Sequence, residues 1–240
     1  MAGREYFEFK QFRIEQSGCA MKVGTDGVLL GAWANVKSGA RVLDIGTGTG
    51  LIALMAAQRG AARVTAVEID TVAAARAEKN VALSAWSDSI EVVCADIQDY
   101  CSNSMVGDAK FDLILSNPPY FRDSLLSPNR QRTLARHSGA LSYETLSLLS
   151  AKMVAPNGEL SVVLPYNNAS QFIHIAALSG LYLKRQTLVT TKQSKPPMRQ
   201  LLSFSPYAGS VERSTLVLFD ESGNATQEYI ELVKDFYLKF

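Results

Sequence analysis

The chain has no apolar run of the roughly 18 residues or more that a membrane-spanning helix requires. Its opening residues, MAGREYFEFK, lack the apolar core of a targeting segment, so a soluble protein of the cytoplasm is expected. No Cys-x-x-Cys pair occurs, and three cysteines (Cys19, Cys94, Cys101) cannot all pair within one chain. Reduced thiols fit that compartment. No surplus of positive charge announces a polyanionic partner: the net charge is +1, and any nucleic acid must be held by local patches. There is no internal repeat, no long linker and no recognisable metal-ligand spacing.

What the chain does have is core-forming material. At 240 residues, 47% apolar and 20% charged, it can bury a full core without staples. A single domain over 1–240 is expected, with an N-terminal extension (1–38) and a core (39–240). In the extension, Phe7, Phe9, Phe12 and Ile14 mostly follow period two, which predicts a short hairpin. Thr25 or Asp26 then caps a short helix carrying Val28, Leu29, Ala32 and Trp33. Packing on the core explains those apolar residues but gives Lys22, Gly24 and Asp26 no role.

A strand over 41–45, the glycine turn Gly46-Thr47-Gly48-Thr49-Gly50 and an almost wholly apolar helix over 51–58 form a central βα unit. Glycines let the backbone approach a ligand, and a helix start adds unpaired N–H groups. The next strand, over 63–70, ends in acids. Glu68 lies twenty positions beyond Gly48, the spacing at which doubly wound nucleotide folds put a ribose-binding carboxylate. It could also be a surface or capping acid, as Asp70 is before the helix over 71–83. Asp96 follows a third strand, over 90–94, as a ligand group or a turn aspartate.

A fourth strand over 111–116 runs into Asn117-Pro118-Pro119-Tyr120. Two prolines stiffen this turn and keep Asn117 out of the α region. The Asn117 side-chain oxygen and the Pro118 carbonyl could accept both hydrogens of one amino group, with the Tyr120 ring stacked on a planar neighbour. The plainer reading is a rigid loop closing a strand. Beyond it lie Arg122, Arg130, Arg132, Arg136 and His137, with Asp123 as the one acid of 122–137. This is either a basic substrate loop or a solvated one, and His137 alone is expected to be structural.

The C-terminal half predicts a helix from Ser142 to about Val154, a strand over 159–164, a helix through Leu178, and strands over 181–191, 199–205 and 214–219 at an antiparallel end of the sheet. Lys184 to Arg199 contains five basic residues and no acid. Lys192, Lys195 and Arg199 could contact phosphates or merely guard an exposed sheet edge. The aromatic tail ending at Phe240 is expected to pack on the domain.

In order, Val42 to Gly50, Glu68, Asp96 and Asn117 to Tyr120 resemble the motifs of class I S-adenosylmethionine-dependent methyltransferases. Including residues 21–33 and Asp235-Phe236-Tyr237-Leu238, the chain resembles in particular the bacterial tRNA1(Val) (adenine-N6)-methyltransferase family. The resemblance implies an α/β, doubly wound, mainly parallel sheet of the seven-stranded type with an antiparallel C-terminal end. It implies S-adenosyl-L-methionine as cofactor and tRNA, valine tRNA favoured, as substrate, with no membrane and no obligate protein partner. By position, Asp44, Gly46, Gly48 and Gly50 belong to the cofactor loop, Glu68 holds the ribose, and Asp96 with Ile97 meets the adenine. Thr25 and Asp26 line the methionine end. Asn117, Pro118 and Tyr120 act on the acceptor amine, Asn117 also bordering the cofactor, and Pro119 and the basic residues face RNA.

Enzymes with the same turn that act on rRNA guanine N2, DNA adenine N6 or release-factor glutamine are the nearest alternatives, and about forty residues before the first core strand leave little room for a separate substrate domain. An NAD-dependent oxidoreductase would share the glycine turn and distal acid but leave the Asn-Pro-Pro-Tyr turn idle. A non-catalytic RNA-binding module would need only the basic loops.

Overall fold

The computed structural model describes residues 5–19, 22–102, 110–119 and 141–240. Strands β1 (Tyr6–Glu8) and β2 (Arg13–Glu15) form the expected antiparallel hairpin, with Phe7 opposite Ile14. Helix α1 (Thr25–Trp33) follows. The core then alternates: β3 (Arg41–Ile45), α2 (Leu51–Gln58), β4 (Arg63–Glu68), α3 (Thr71–Ala82), β5 (Ile90–Cys94), α4 (Ile97–Ser102) and β6 (Phe111–Ser116). After it come α5 (Tyr143–Met153), β7 (Val154–Pro165), α6 (Tyr166–Leu178), β8 (Tyr182–Thr190), β9 (Arg199–Ser205), β10 (Glu212–Val217) and α7 (Gln227–Val233).

Eight strands form one sheet in the order β10-β8-β9-β7-β6-β3-β4-β5. From β5 to β7 all neighbours are parallel, and β9 runs antiparallel to both β7 and β8. Val42, Leu43 and Ile45 in β3 and Leu113, Ile114 and Leu115 in β6 are buried, as central parallel strands covered on both faces require. One face packs on α1, α2, the hairpin and α7, and the other on α5 and α6. The chain proceeds from β3 outward in both directions, so the strand order reverses beside β3, where such sheets bind ligands.

Every residue from Leu51 to Ala57 is buried, which accounts for the apolar α2. Helix α1 lies against it because Gly27 and Gly31 leave room: a Cβ on Gly31 would stand 2.6 Å from Met55 Sδ, and one on Gly27 3.1 Å from Leu51 Cδ2. This close approach sets the start of α1 beside the start of α2. In the tail, Phe236 is buried, Tyr237 bridges to Phe9, and the two rings stack at 5.9 Å.

Several boundaries differ from the sequence expectation. Gly24, with no side-chain bond, is the N-cap of α1, so Thr25 and Asp26 lie inside its first turn. Helix α5 stops at Met153 because Val154 turns extended and pairs with Phe111, so β7 begins before Pro156. Strand β10, expected over 214–219, spans Glu212–Val217 and joins the edge parallel to β8, so the sheet has eight strands and its C-terminal end is only partly antiparallel.

Candidate functional site

Sheet register brings the site together. Ile45 pairs with both Val67 and Ser116, and Glu68 pairs with Cys94. The carboxyl ends of β5, β4, β3 and β6 therefore carry Asp96, Glu68, the glycine turn and Asn117 side by side. Ser116, fully buried, donates its hydroxyl to the Ile45 carbonyl at 2.9 Å and locks the last residues of β6 and β3 together.

Gly46, Gly48 and Gly50 have φ of 72°, 59° and 84°, in the left-handed region that disfavours a side chain. No atom of the described residues lies within 4 Å of a Cβ built on Gly46 or Gly48, so backbone conformation, not crowding, demands glycine there. The amides of Gly46 and Thr47 donate to the Val67 carbonyl, and that of Gly48 donates to Glu68 Oε2 at 2.8 Å. Glu68 Oε1 accepts from the Asp70 amide at 2.9 Å. Each carboxylate oxygen retains a second acceptor direction, so Glu68 can brace the loop and still receive a hydroxyl.

Asp44 is fully buried beneath the loop, and its Oδ2 accepts the Thr47 hydroxyl at 2.6 Å. Its Oδ1 is buried without a hydrogen-bond partner among the described residues. Burial pushes this carboxyl up to about 7, with Glu68 adding to the rise and the Thr47 hydroxyl and Ala53 amide opposing it. Asp44 therefore supports the loop from below and presents no exposed surface to a ligand. Asp96 Oδ1 accepts from the Gln98 amide at 2.7 Å, which makes it a turn aspartate at the start of α4, while Ile97 is buried. Of the two sequence readings of Asp96, this contact is the turn aspartate.

On the other side of β3, Asn117 is half-buried, Pro118 buried and Pro119 exposed. The far wall comes from α1 and the start of β9. Arg199 Nε donates to Asp26 Oδ2 at 2.8 Å, joining a residue expected at the cofactor to one expected at RNA. Thr25 is exposed in the first turn of α1. Between β8 and β9, Lys192 Nζ donates to the Glu221 carbonyl and Lys195 is exposed. Tyr120, Arg122, Arg130, Arg132, Arg136 and His137 lie outside the described residues.

The sequence reading missed three exposed apolar side chains at this end of the sheet. Ile69 is 49% exposed between Glu68 and Asp70, Tyr166 is 42% exposed after β7, and Met198 is 37% exposed before β9. An apolar residue between two acids at a strand end was the available signal for Ile69. No equivalent pattern marks Tyr166 or Met198.

Residues 21–169 match the family model of the methyltransferase small domain. Two curated relatives are tRNA1(Val) (adenine(37)-N6)-methyltransferases. The one from Bacteroides fragilis (strain ATCC 25285) is 49% identical over 98% of both chains. The one from Haemophilus influenzae (strain 86-028NP) is 42% identical over 98% of this chain and 99% of its own. Among solved structures, a predicted O-methyltransferase from Agrobacterium tumefaciens aligns with a TM-score of 0.65 at 20% identity, covering 88% of this chain and 96% of that one. A TehB-like SAM-dependent methyltransferase from Corynebacterium glutamicum aligns at 0.50 and 18% identity, covering 76% and 88%. These two structures share the fold.

Proposed function

The chain belongs to the methyltransferase small domain family and, within it, to the family of tRNA1(Val) (adenine(37)-N6)-methyltransferases, and on that premise we propose that it methylates the exocyclic N6 of adenosine 37, just 3′ of the anticodon, in tRNA1(Val). The cofactor is S-adenosyl-L-methionine, the setting is the cytoplasm, and no protein partner is needed. One observation carries the reading: the pairing of Ile45 with Ser116, which makes the glycine turn and the Asn117-Pro118 turn neighbours at the strand ends.

The residues fit a nucleoside cofactor. The left-handed glycine turn leaves its backbone open to close approach, and the loop rests on Glu68, whose remaining acceptor directions suit a ribose diol. Asp96 can accept from an adenine amine, and Ile69 and Ile97 offer apolar contact to its ring. Thr25 and Asp26 at the start of α1 border the amino-acid end. Bound there, S-adenosylmethionine supplies a methyl group already activated by a sulfonium, so the protein's main task is to hold an acceptor in line with it.

The chain's own chemistry then concerns the adenine. Its N6 lone pair is delocalised into the ring, which makes it a poor nucleophile. The Asn117 side-chain oxygen and the Pro118 carbonyl accept the two N6 hydrogens, favour a pyramidal nitrogen and stabilise the positive charge that develops on it. Methylation makes that nitrogen acidic, so no strong base is required. The adenine leaves its stack to reach the turn, and Tyr120 receives it. Pro119, Lys192, Lys195 and Arg199, with Arg122, Arg130, Arg132 and Arg136, steer the RNA through apolar and phosphate contacts.

The test is methyl transfer from labelled S-adenosylmethionine to total bacterial tRNA, rRNA, duplex DNA and a release factor in parallel, followed by nucleoside analysis. N6-methyladenosine in valine tRNA is the expected product. Label confined to rRNA, DNA or the release factor would overturn the substrate assignment and leave the methyltransferase core standing.

A further inference from the structure

Among the described residues, Tyr166 after β7 and Met198 before β9 are exposed apolar residues on the side of the Asn117 turn away from the cofactor loop. Ser116 pairs with Val162, three residues before Pro165, so the end of β7 and Tyr166 after it lie on the β7 side of the Asn117 turn, where Pro119 is also exposed. Adjacent strands lie about 4.8 Å apart, so this rim borders the proposed acceptor site.

The rim is held rigidly. The Tyr166 amide donates to the Met198 carbonyl at 3.1 Å, and the buried Gln200 donates to the Tyr166 carbonyl at 3.3 Å. Gln186 in turn donates to Gln200 at 2.7 Å. The Met198 amide donates to Val189, and Glu221 accepts from both the amide and hydroxyl of Ser194. These bonds fix the main chain at Tyr166 and Met198, whose side chains are exposed and lie outside the core clusters of the described residues. Next to them Lys195 is exposed, in the sequence stretch 184–199 that has five basic residues and no acid of its own, with Arg199 paired to Asp26 and Glu221 engaged by Ser194, and its charge favours an anionic strand.

We propose that Tyr166, backed by Met198, is a stacking platform for a nucleobase adjacent to the target adenosine. Resting on the functional reading above, this gives the substrate a second requirement: an unstacked base next to the methylated one, held while the target enters the Asn117 turn. Aromatic stacking serves any base, so the platform selects unpaired loop geometry over sequence.

A cycle across protein and RNA tests this. An anticodon stem-loop carrying A37, and versions with an abasic residue on its 5′ or 3′ side, are methylated by the wild-type chain, Tyr166→Ala and Tyr166→Phe. Tyr166→Ala should raise the KM for RNA about tenfold, leave S-adenosylmethionine affinity unchanged by calorimetry, and be matched by Tyr166→Phe remaining near wild type. One abasic substitution should cost the wild-type chain a similar factor and cost Tyr166→Ala nothing further. A KM within twofold for Tyr166→Ala, or fully multiplicative losses at both flanks, would overturn the platform while leaving the methylation reaction standing. A wild-type chain that binds the cofactor and methylates none of these RNAs would overturn the functional reading, and the platform with it.

Discussion

Glu68 at the end of β4 accepts a hydrogen bond from the Gly48 amide across twenty residues of chain, at 2.8 Å. The contact couples the distal acid to the shape of the glycine turn, so one carboxylate braces the loop and faces the proposed ribose position. Glu68→Ala removes both functions, and its affinity for S-adenosylmethionine should fall by about ten- to a hundredfold, as expected for loss of charge-assisted hydrogen bonds. Titration calorimetry measures this directly. An affinity within twofold of wild type would show that the loop holds its form, and the cofactor its place, without Glu68.

Asp44 gives the loop a dependence on pH. Its folded-state value of about 7 lies above the ordinary carboxylate range because burial disfavours the charge. The stability contributed by the protonated form is therefore complete below about pH 4 and is lost as pH rises through about 7. Asp44→Asn keeps an acceptor for Thr47 and cannot ionise, so its melting temperature should fall less than that of the wild-type chain between pH 5 and 8. Parallel melting curves for the two proteins across that range would exclude Asp44 as the titrating group.

The Asp26–Arg199 pair ties the start of α1 to β9, and its side chains are only 20% and 24% exposed. Such a pair should show a coupling of about 1 kcal/mol in a double-mutant cycle of Asp26→Ala and Arg199→Ala followed by urea unfolding. Arg199→Ala should also weaken RNA methylation more strongly than cofactor binding, because Arg199 stands on the proposed RNA side, whereas Asp26→Ala should weaken both. Additive stabilities and unchanged RNA kinetics would reduce the pair to an incidental surface contact.

Much of this arrangement was legible in the residue order, and the reasons are local. The apolar runs at 41–45 and 111–116, the glycine turn and the twenty-residue interval to Glu68 each reflect a constraint within one βα unit. The sheet then brings those units together by register. What escaped the sequence depends on contacts between distant segments. The Gly27 and Gly31 stripe became intelligible only against Leu51 and Met55. Asp44 reads as a loop acid but is sealed beneath Thr47. The helix cap fell to Gly24, and Asp26 was drawn instead to Arg199, 173 residues away. Tyr166 and Met198 belong to segments with no motif, and only their shared hydrogen bond and exposure distinguish them.

The most direct test of the account is the reaction at Asn117. Wild-type and Asn117→Ala proteins would be compared in single-turnover methyl transfer to an unmodified tRNA1(Val) transcript, with cofactor affinity measured alongside by calorimetry. The wild-type chain should give N6-methyladenosine at one position, and Asn117→Ala should lose about a hundredfold or more in turnover with cofactor affinity little changed. Unchanged turnover in Asn117→Ala, or a wild-type product other than N6-methyladenosine, would contradict it.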